Sequence, residues 1–146
     1  MSELKVAVRY QSRGGNTKAV AEAIAKTAGV VAEPIDTPIP EPVDLLFIGG
    51  GVYAWDIDKS LITYLENLAP ETAKAVAVFT TAGGMDKTNR IAAIVKARGI
   101  IVREETLPVK VLLRNHASLG GKGYINLSDK HLQSIEDFTK RMISKQ

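Results

Sequence analysis

Apolar residues recur along this chain in two alternating rhythms. Leu4-Lys5-Val6-Ala7-Val8 is a short run of strand length, whereas Val20, Ala21, Ile24, Ala25 and Ala28 return at helical spacing. Gly29 suits the position just past the helix end, and Val30-Val31-Ala32 with Ile35 reads as a second short strand. Pro34, Pro38, Pro40 and Pro42 then forbid a regular helix. Leu45-Leu46-Phe47-Ile48 is continuously apolar, as a strand covered by helices on both faces must be. Leu61, Leu65 and Leu68 form the next helical stripe, Ala75-Val76-Ala77-Val78-Phe79 a fourth strand, and Ile91, Ala92, Ile94 and Val95 a helix. That helix is expected to start near Asp86 or Thr88 and to stop at Gly99.

Ile100-Ile101-Val102 reads as strand five, which Val109-Lys110-Val111-Leu112-Leu113 either extends or pairs with. Gly120-Gly121-Lys122-Gly123 reads as a turn. Ser128 is expected to cap a last helix whose inner face is Leu132, Ile135, Phe138 and Met142. Strands alternating with helices predict an α/β protein: one doubly wound parallel sheet of five strands with helices on both faces. The 146 residues, 45% of them apolar, suit one domain over 1–146.

The absence of cysteine excludes disulfides, thiol catalysis, cysteine–zinc sites and iron–sulfur clusters, and fits a reducing cytoplasm. No stretch of about 18 apolar residues occurs, so no integral membrane segment is expected. Net charge is +3, unevenly spread: residues 1–75 carry 7 Lys/Arg against 10 Asp/Glu, and residues 76–146 carry 12 against 6. Acids interrupt the basic half and aromatics are not interleaved with it, so it reads as a solvated face, with no nucleic-acid partner. Of the two histidines, His131 falls on the polar side of the last helix, and His116 has no visible partner for proton transfer.

The strongest chemical signal is Tyr10-Gln-Ser-Arg-Gly-Gly-Asn-Thr-Lys18, a small-residue loop between the first strand and the first helix. Glycines let backbone approach a ligand closely, and the free N–H groups of the helix start can converge on an anion. The loop is thus a candidate phosphate cradle. The same residues also make an ordinary strand-to-helix turn. It is neither a Walker A loop nor G-x-G-x-x-G.

Tyr10-x-Ser12-x-Gly14-Gly15-Asn16-Thr17 resembles the phosphate loop of flavodoxins, Ser/Thr-x-Thr-Gly-x-Thr, with Gly14 where the family usually has Thr. The resemblance implies strand order 2-1-3-4-5, with three loops meeting at the switch point; flavodoxin is itself the standard example of that rule. It implies an FMN cofactor, with Ser12, Arg13, Gly14, Gly15, Asn16 and Thr17 at the phosphate. The run Gly49-Gly50-Gly51-Val52-Tyr53-Ala54-Trp55 resembles the second flavin loop, which places Gly51, Val52, Tyr53, Ala54 and Trp55 at the ring with Tyr53 stacked on it. Thr81, Ala82, Gly83, Gly84 and Met85 correspond to the third, where the family often has an aromatic and this chain has Met85. Ala54 stands where the family commonly has Gly.

The implied role is a cytoplasmic electron carrier between redox partner proteins. Two alternatives stay open: a quinone-linked oxidoreductase resembling the menaquinone-dependent protoporphyrinogen oxidases, and a flavodoxin-like module without flavin. Receiver domains and low-molecular-weight phosphatases do not fit, because the acidic strand ends of the one and the cysteine of the other are missing.

Overall fold

The computed structural model describes residues 4–111 and 127–145. The expectations for Leu112-Leu113, His116 and the turn at 120–123 lie outside the described residues.

Among the described residues, seven β-segments and four α-helices follow one another, with one 3-10 turn at Pro70–Thr72. The strands are β1 (Val6–Gln11), β2 (Ala32–Pro34), β3 (Val43–Tyr53), β4 (Asp56–Ile57), β5 (Ala73–Ala82), β6 (Ile101–Val102) and β7 (Leu107–Lys110). The helices are α1 (Asn16–Ala28), α2 (Lys59–Glu66), α3 (Thr88–Ala97) and α4 (Asp129–Ser144). The sheet runs β2-β1-β3-β5-β6, parallel throughout that path. The fifth position is shared by two segments. β6 pairs with Ala75 and Val76 at the start of β5, and β7 pairs with Phe79 to Ala82 at its end. With the β4 hairpin segment set aside, this is the order 2-1-3-4-5.

Side chains alternate across the sheet and fill two apolar layers. Val8, Phe47, Phe79 and Ala77 pack with Ile24 of α1 and with Ile135, Phe138 and Met142 of α4. Leu46, Ile48, Val76 and Val78 pack with Leu61 and Leu65 of α2 and with Ile91 and Val95 of α3. Phe47 and Phe138 meet edge to face, centroids 6.2 Å apart. Each fully buried Val, Leu, Ile, Phe or Met among them contributes about 1.5–3 kcal/mol by leaving water.

Several expectations change. β3 and β5 run on through Gly49–Tyr53 and Thr80–Ala82, residues read from the sequence as loop. The glycines extend the strand because of packing: a Cβ on Gly49 would collide with the Phe79 carbonyl oxygen and ring, and one on Gly50 would lie 2.5 Å from Leu61 Cδ2. β4 adds a short antiparallel pairing to β3. Val31 lies outside β2 and is 75% exposed. On α4, Leu132 is exposed and Thr139 takes the inner position, its hydroxyl donating to the Ile135 carbonyl at 2.7 Å.

His131 closes the start of α4. The Ser128 hydroxyl accepts from the His131 N–H, and His131 Nδ1 accepts from the Ser128 N–H. Arg9, on β1 and 5% exposed, was not legible as a core residue. Its guanidinium donates to the carbonyls of Thr37, Pro38 and Val8, which ties down the proline-rich connection.

Candidate functional site

All parallel strands end on the same side, so the loops after β1, β3 and β5 meet there. After β1 the chain turns through Gly15, whose φ of 100° only glycine adopts freely. The Ser12 hydroxyl accepts the Gly15 N–H at 3.0 Å, which folds the loop back on itself while its own proton stays available to donate. Asn16 and Thr17 open α1 and are buried.

Two hydrogen bonds lock this loop to its neighbours. The Arg13 N–H donates to Tyr53 Oη at 3.0 Å, joining the loop to the end of β3. Thr17 Oγ1 and Thr81 Oγ1 lie 2.6 Å apart in the interior, joining the start of α1 to the end of β5. Arg13 also stacks its guanidinium 4.0 Å over the Tyr53 ring and pairs with Asp58 at 2.9 Å. Gly51 makes room for this: a Cβ there would sit 2.5 Å from Tyr53 Oη. Desolvation pushes the Tyr53 hydroxyl above its ordinary pKa, against the Arg13 N–H and charge, so it stays protonated at neutral pH. The Gln11 amide lies beside Tyr53 as well, and its buried Oε1 has no partner.

Beyond Tyr53 the chain reverses in two residues. Tyr53 pairs with Asp56, and Ala54 and Trp55 form the turn with φ of 47° and 80°. Positive φ at both central positions defines the type I′ hairpin turn, which favours Asn-Gly; Ala-Trp occupies it under strain. The result is a Trp55 side chain thrown outward, 76% exposed. Asp56 accepts the Ile57 N–H and pairs with Arg90 of α3, and these contacts lower its pKa. Asp58 caps α2 by accepting from the Ser60 N–H and hydroxyl, which together with Arg13 lowers its pKa.

Across from the turn, Gly83 and Gly84 lead to Met85, and Asp86 accepts from the Thr88 N–H and hydroxyl just ahead of α3. Between the two walls opens a cavity of about 670 Å³ lined by Val52, Ala54, Trp55, Ala82, Gly83, Gly84 and Met85. Its walls are apolar side chains with glycine backbone at the rim, a surface suited to a flat aromatic ring. Ser12 to Thr17 flank this cavity without lining it. Tyr53, expected at the ring, does not line it either: one face of its own ring is covered by Arg13. Gly51 and Thr81 also stand back from it, in support of Tyr53 and Thr17.

Sequence reasoning missed Asp58, Gln11 and the Asp56–Arg90 pair. Asp58 had a detectable signal, an acid three residues ahead of the Leu61 stripe; the others depend on contacts between distant segments.

A family model described as "Flavodoxin domain" matches residues 7–114. Among solved structures, a flavodoxin from the domain Archaea superposes with a TM-score of 0.77 at 18% identity, covering 97% of this chain and 98% of the other. A short-chain flavodoxin associated with a non-canonical PDU bacterial microcompartment gives 0.69 at 11% identity, covering 97% and 99%. The flavodiiron core Flv1 from Synechocystis sp. PCC6803 gives 0.68 at 20% identity, covering 98% of this chain and 37% of that one. At these identities the likeness is one of fold. No curated protein sequence matches.

Proposed function

This chain belongs to the flavodoxin family, and from that premise we propose that it binds FMN and carries electrons between partner proteins. The observation that supports this best is the pair of hydrogen bonds, Arg13 to Tyr53 and Thr17 to Thr81, that fix the candidate phosphate loop to the ends of β3 and β5, from which the walls of the apolar cavity continue.

In this reading the backbone N–H groups of Gly14 and Thr17, the Ser12 hydroxyl and the positive end of α1 hold the phosphate, while the Arg13 and Gly15 N–H groups hold the loop's own shape through Tyr53 and Ser12. Gly14 supplies no side chain, so backbone carries more of that contact than in relatives with Thr. Trp55 and Met85, which line the cavity, would hold the ring between them, in place of the Tyr53 expected from the sequence. Tyr53 acts behind the site, setting the distance between the phosphate loop and the hairpin. Val52, Ala82 and Met85 exclude water from the ring. The bound flavin supplies the redox chemistry, accepting and releasing electrons and protons at its ring nitrogens.

The test separates the phosphate from the ring. Gly15→Val places a β-branched residue at φ 100° and is expected to weaken FMN at least about tenfold more than riboflavin. Equal losses for the two ligands would remove residues 12–17 from the phosphate site.

A further inference from the structure

Charge is distributed unevenly between the two ends of the sheet. Arg13, Lys18, Lys59, Lys87, Arg90 and Lys110 all lie at the end that carries the cavity, in the loops after β1, β4 and β5, the first turns of α1–α3 and the last residue of β7. The acids at this end are Asp56, Asp58 and Asp86, each hydrogen-bonded internally, and Asp36, exposed in the turn after β2 at the sheet edge, two strands away from β3. Asp56 accepts from Ile57 and Arg90, Asp58 from Ser60 and Arg13, and Asp86 from Thr88. Lys59, Lys87 and Lys110 have no ion-pair partner among the described residues. Elsewhere in the described residues acids and bases nearly cancel. The N-termini of α1, α2 and α3 also point to this end and add their partial positive charge.

We propose that this end of the molecule is a docking face for an electron-transfer protein whose own contact surface is acidic. The inference rests on the flavin reading only for the location of the electron, not for the sign of the surface. A phosphate bound at residues 12–17 would be countered by Lys18 and the positive start of α1, Arg13 being paired with Asp58. Lys59, Lys87 and Lys110 remain free around an exposed apolar centre made by Trp55, Gly83 and Gly84. An apolar centre within a charged rim is the usual anatomy of a transient protein interface. A rim of one sign speeds encounter with the opposite sign, and that gain is lost to salt within a Debye length of about 8–10 Å. A basic partner would meet like charges at each of these lysines.

The test uses FMN-loaded protein reduced by light with EDTA as the electron donor and mixed in stopped flow with two acceptors, an acidic blue-copper protein and a basic c-type cytochrome. Two acceptor molecules reoxidise one flavin hydroquinone, taking one electron each as Cu(II) becomes Cu(I) or Fe(III) becomes Fe(II), and two protons from the neutral hydroquinone, or one from its anion, pass to water. With the acidic acceptor the rate is expected to fall about tenfold or more between 20 and 300 mM salt; with the basic acceptor it should rise. The triple variant Lys59→Glu, Lys87→Glu, Lys110→Glu should reverse both trends while quenching FMN fluorescence as the parent does.

A second readout needs no flavin. Titrating the isotope-labelled acidic acceptor with flavin-free protein should shift its amide resonances at low salt, and the triple variant should not. Salt trends of opposite sign, or a triple variant indistinguishable from the parent in either experiment, would overturn the proposal. Failure of FMN to bind would show in the fluorescence alone and leave the resonance experiment decisive.

Discussion

Replacing Ala54 by Gly should make the protein more stable, because the two-residue turn after β3 holds an L-residue where glycine is at ease. Ala54 sits at φ 47° and Trp55 at φ 80°. A left-handed conformation costs an L-residue about 1–2 kcal/mol, and glycine escapes that cost. Glycine in turn loses about 0.5–1 kcal/mol more backbone freedom on folding than alanine. The difference leaves Ala54→Gly about 0.5–1 kcal/mol more stable. For a chain of 146 residues, with about 2.1 cal/mol/K of unfolding entropy per residue, that raises Tm by about 2–3 °C. Ala54 is exposed and lies on the rim of the cavity, so no packing term competes with the backbone term. Ala54→Val provides the opposite arm and should lower Tm by a similar amount or more. Urea and thermal unfolding of the three proteins at pH 7 measures both. An Ala54→Gly protein no more stable than the parent, beside a Val variant that is well tolerated, would refute the argument that this turn is strained.

Trp55→Ala should weaken FMN and riboflavin equally, by about 1–3 kcal/mol or about 5- to 150-fold, since only ring contact is lost; fluorescence titration of both ligands checks this. Tyr53→Phe removes the acceptor for the Arg13 N–H and should cost FMN more than riboflavin, in the same assay. Thr17→Val leaves the buried Thr81 hydroxyl unpartnered and should destabilise the fold by about 1–3 kcal/mol in urea unfolding. Asp56 and Asp58 have pKa values lowered in the folded state, so the stability they contribute is present above the ordinary aspartate value of about 3.9 and is lost as pH falls through their folded values. The urea midpoint should therefore drop between pH 7 and pH 3, and Asp58→Asn should shrink that drop.

The alternation of strands and helices was legible because each buried strand is a continuous apolar run and each helix carries a stripe at 3.6 spacing. The strand ends were not. Gly49 to Gly51 look like loop residues in isolation, and they belong to β3 because the Phe79 ring and Leu61 occupy the space where side chains would be. Thr80 and Thr81 likewise read as turn formers, yet they pair with β7 on one side and with Gly50 and Gly51 on the other. Around the cavity the three loops were visible as clusters of Gly, Ser and Thr, but which aromatic lines the cavity was not. Tyr53 and Trp55 are two residues apart and would share a face of a regular strand. The type I′ turn between them breaks that rule, sending Tyr53 toward Arg13 and Trp55 toward the cavity. Arg9 and Gln11 escaped notice because polar side chains in a short strand give no sign of the carbonyls or hydroxyls they will meet.

The central claim is that residues 12–17 and the cavity between Trp55 and Met85 together hold FMN. Titration of flavin-free protein with FMN, followed by flavin fluorescence and visible absorption, tests it most directly. One equivalent should saturate at low micromolar concentration or below, with fluorescence quenched as the ring stacks and riboflavin bound more weakly for want of the phosphate. An unchanged flavin spectrum and fluorescence with FMN raised to about 50 μM, where even a binding free energy near 6 kcal/mol would register, would contradict it.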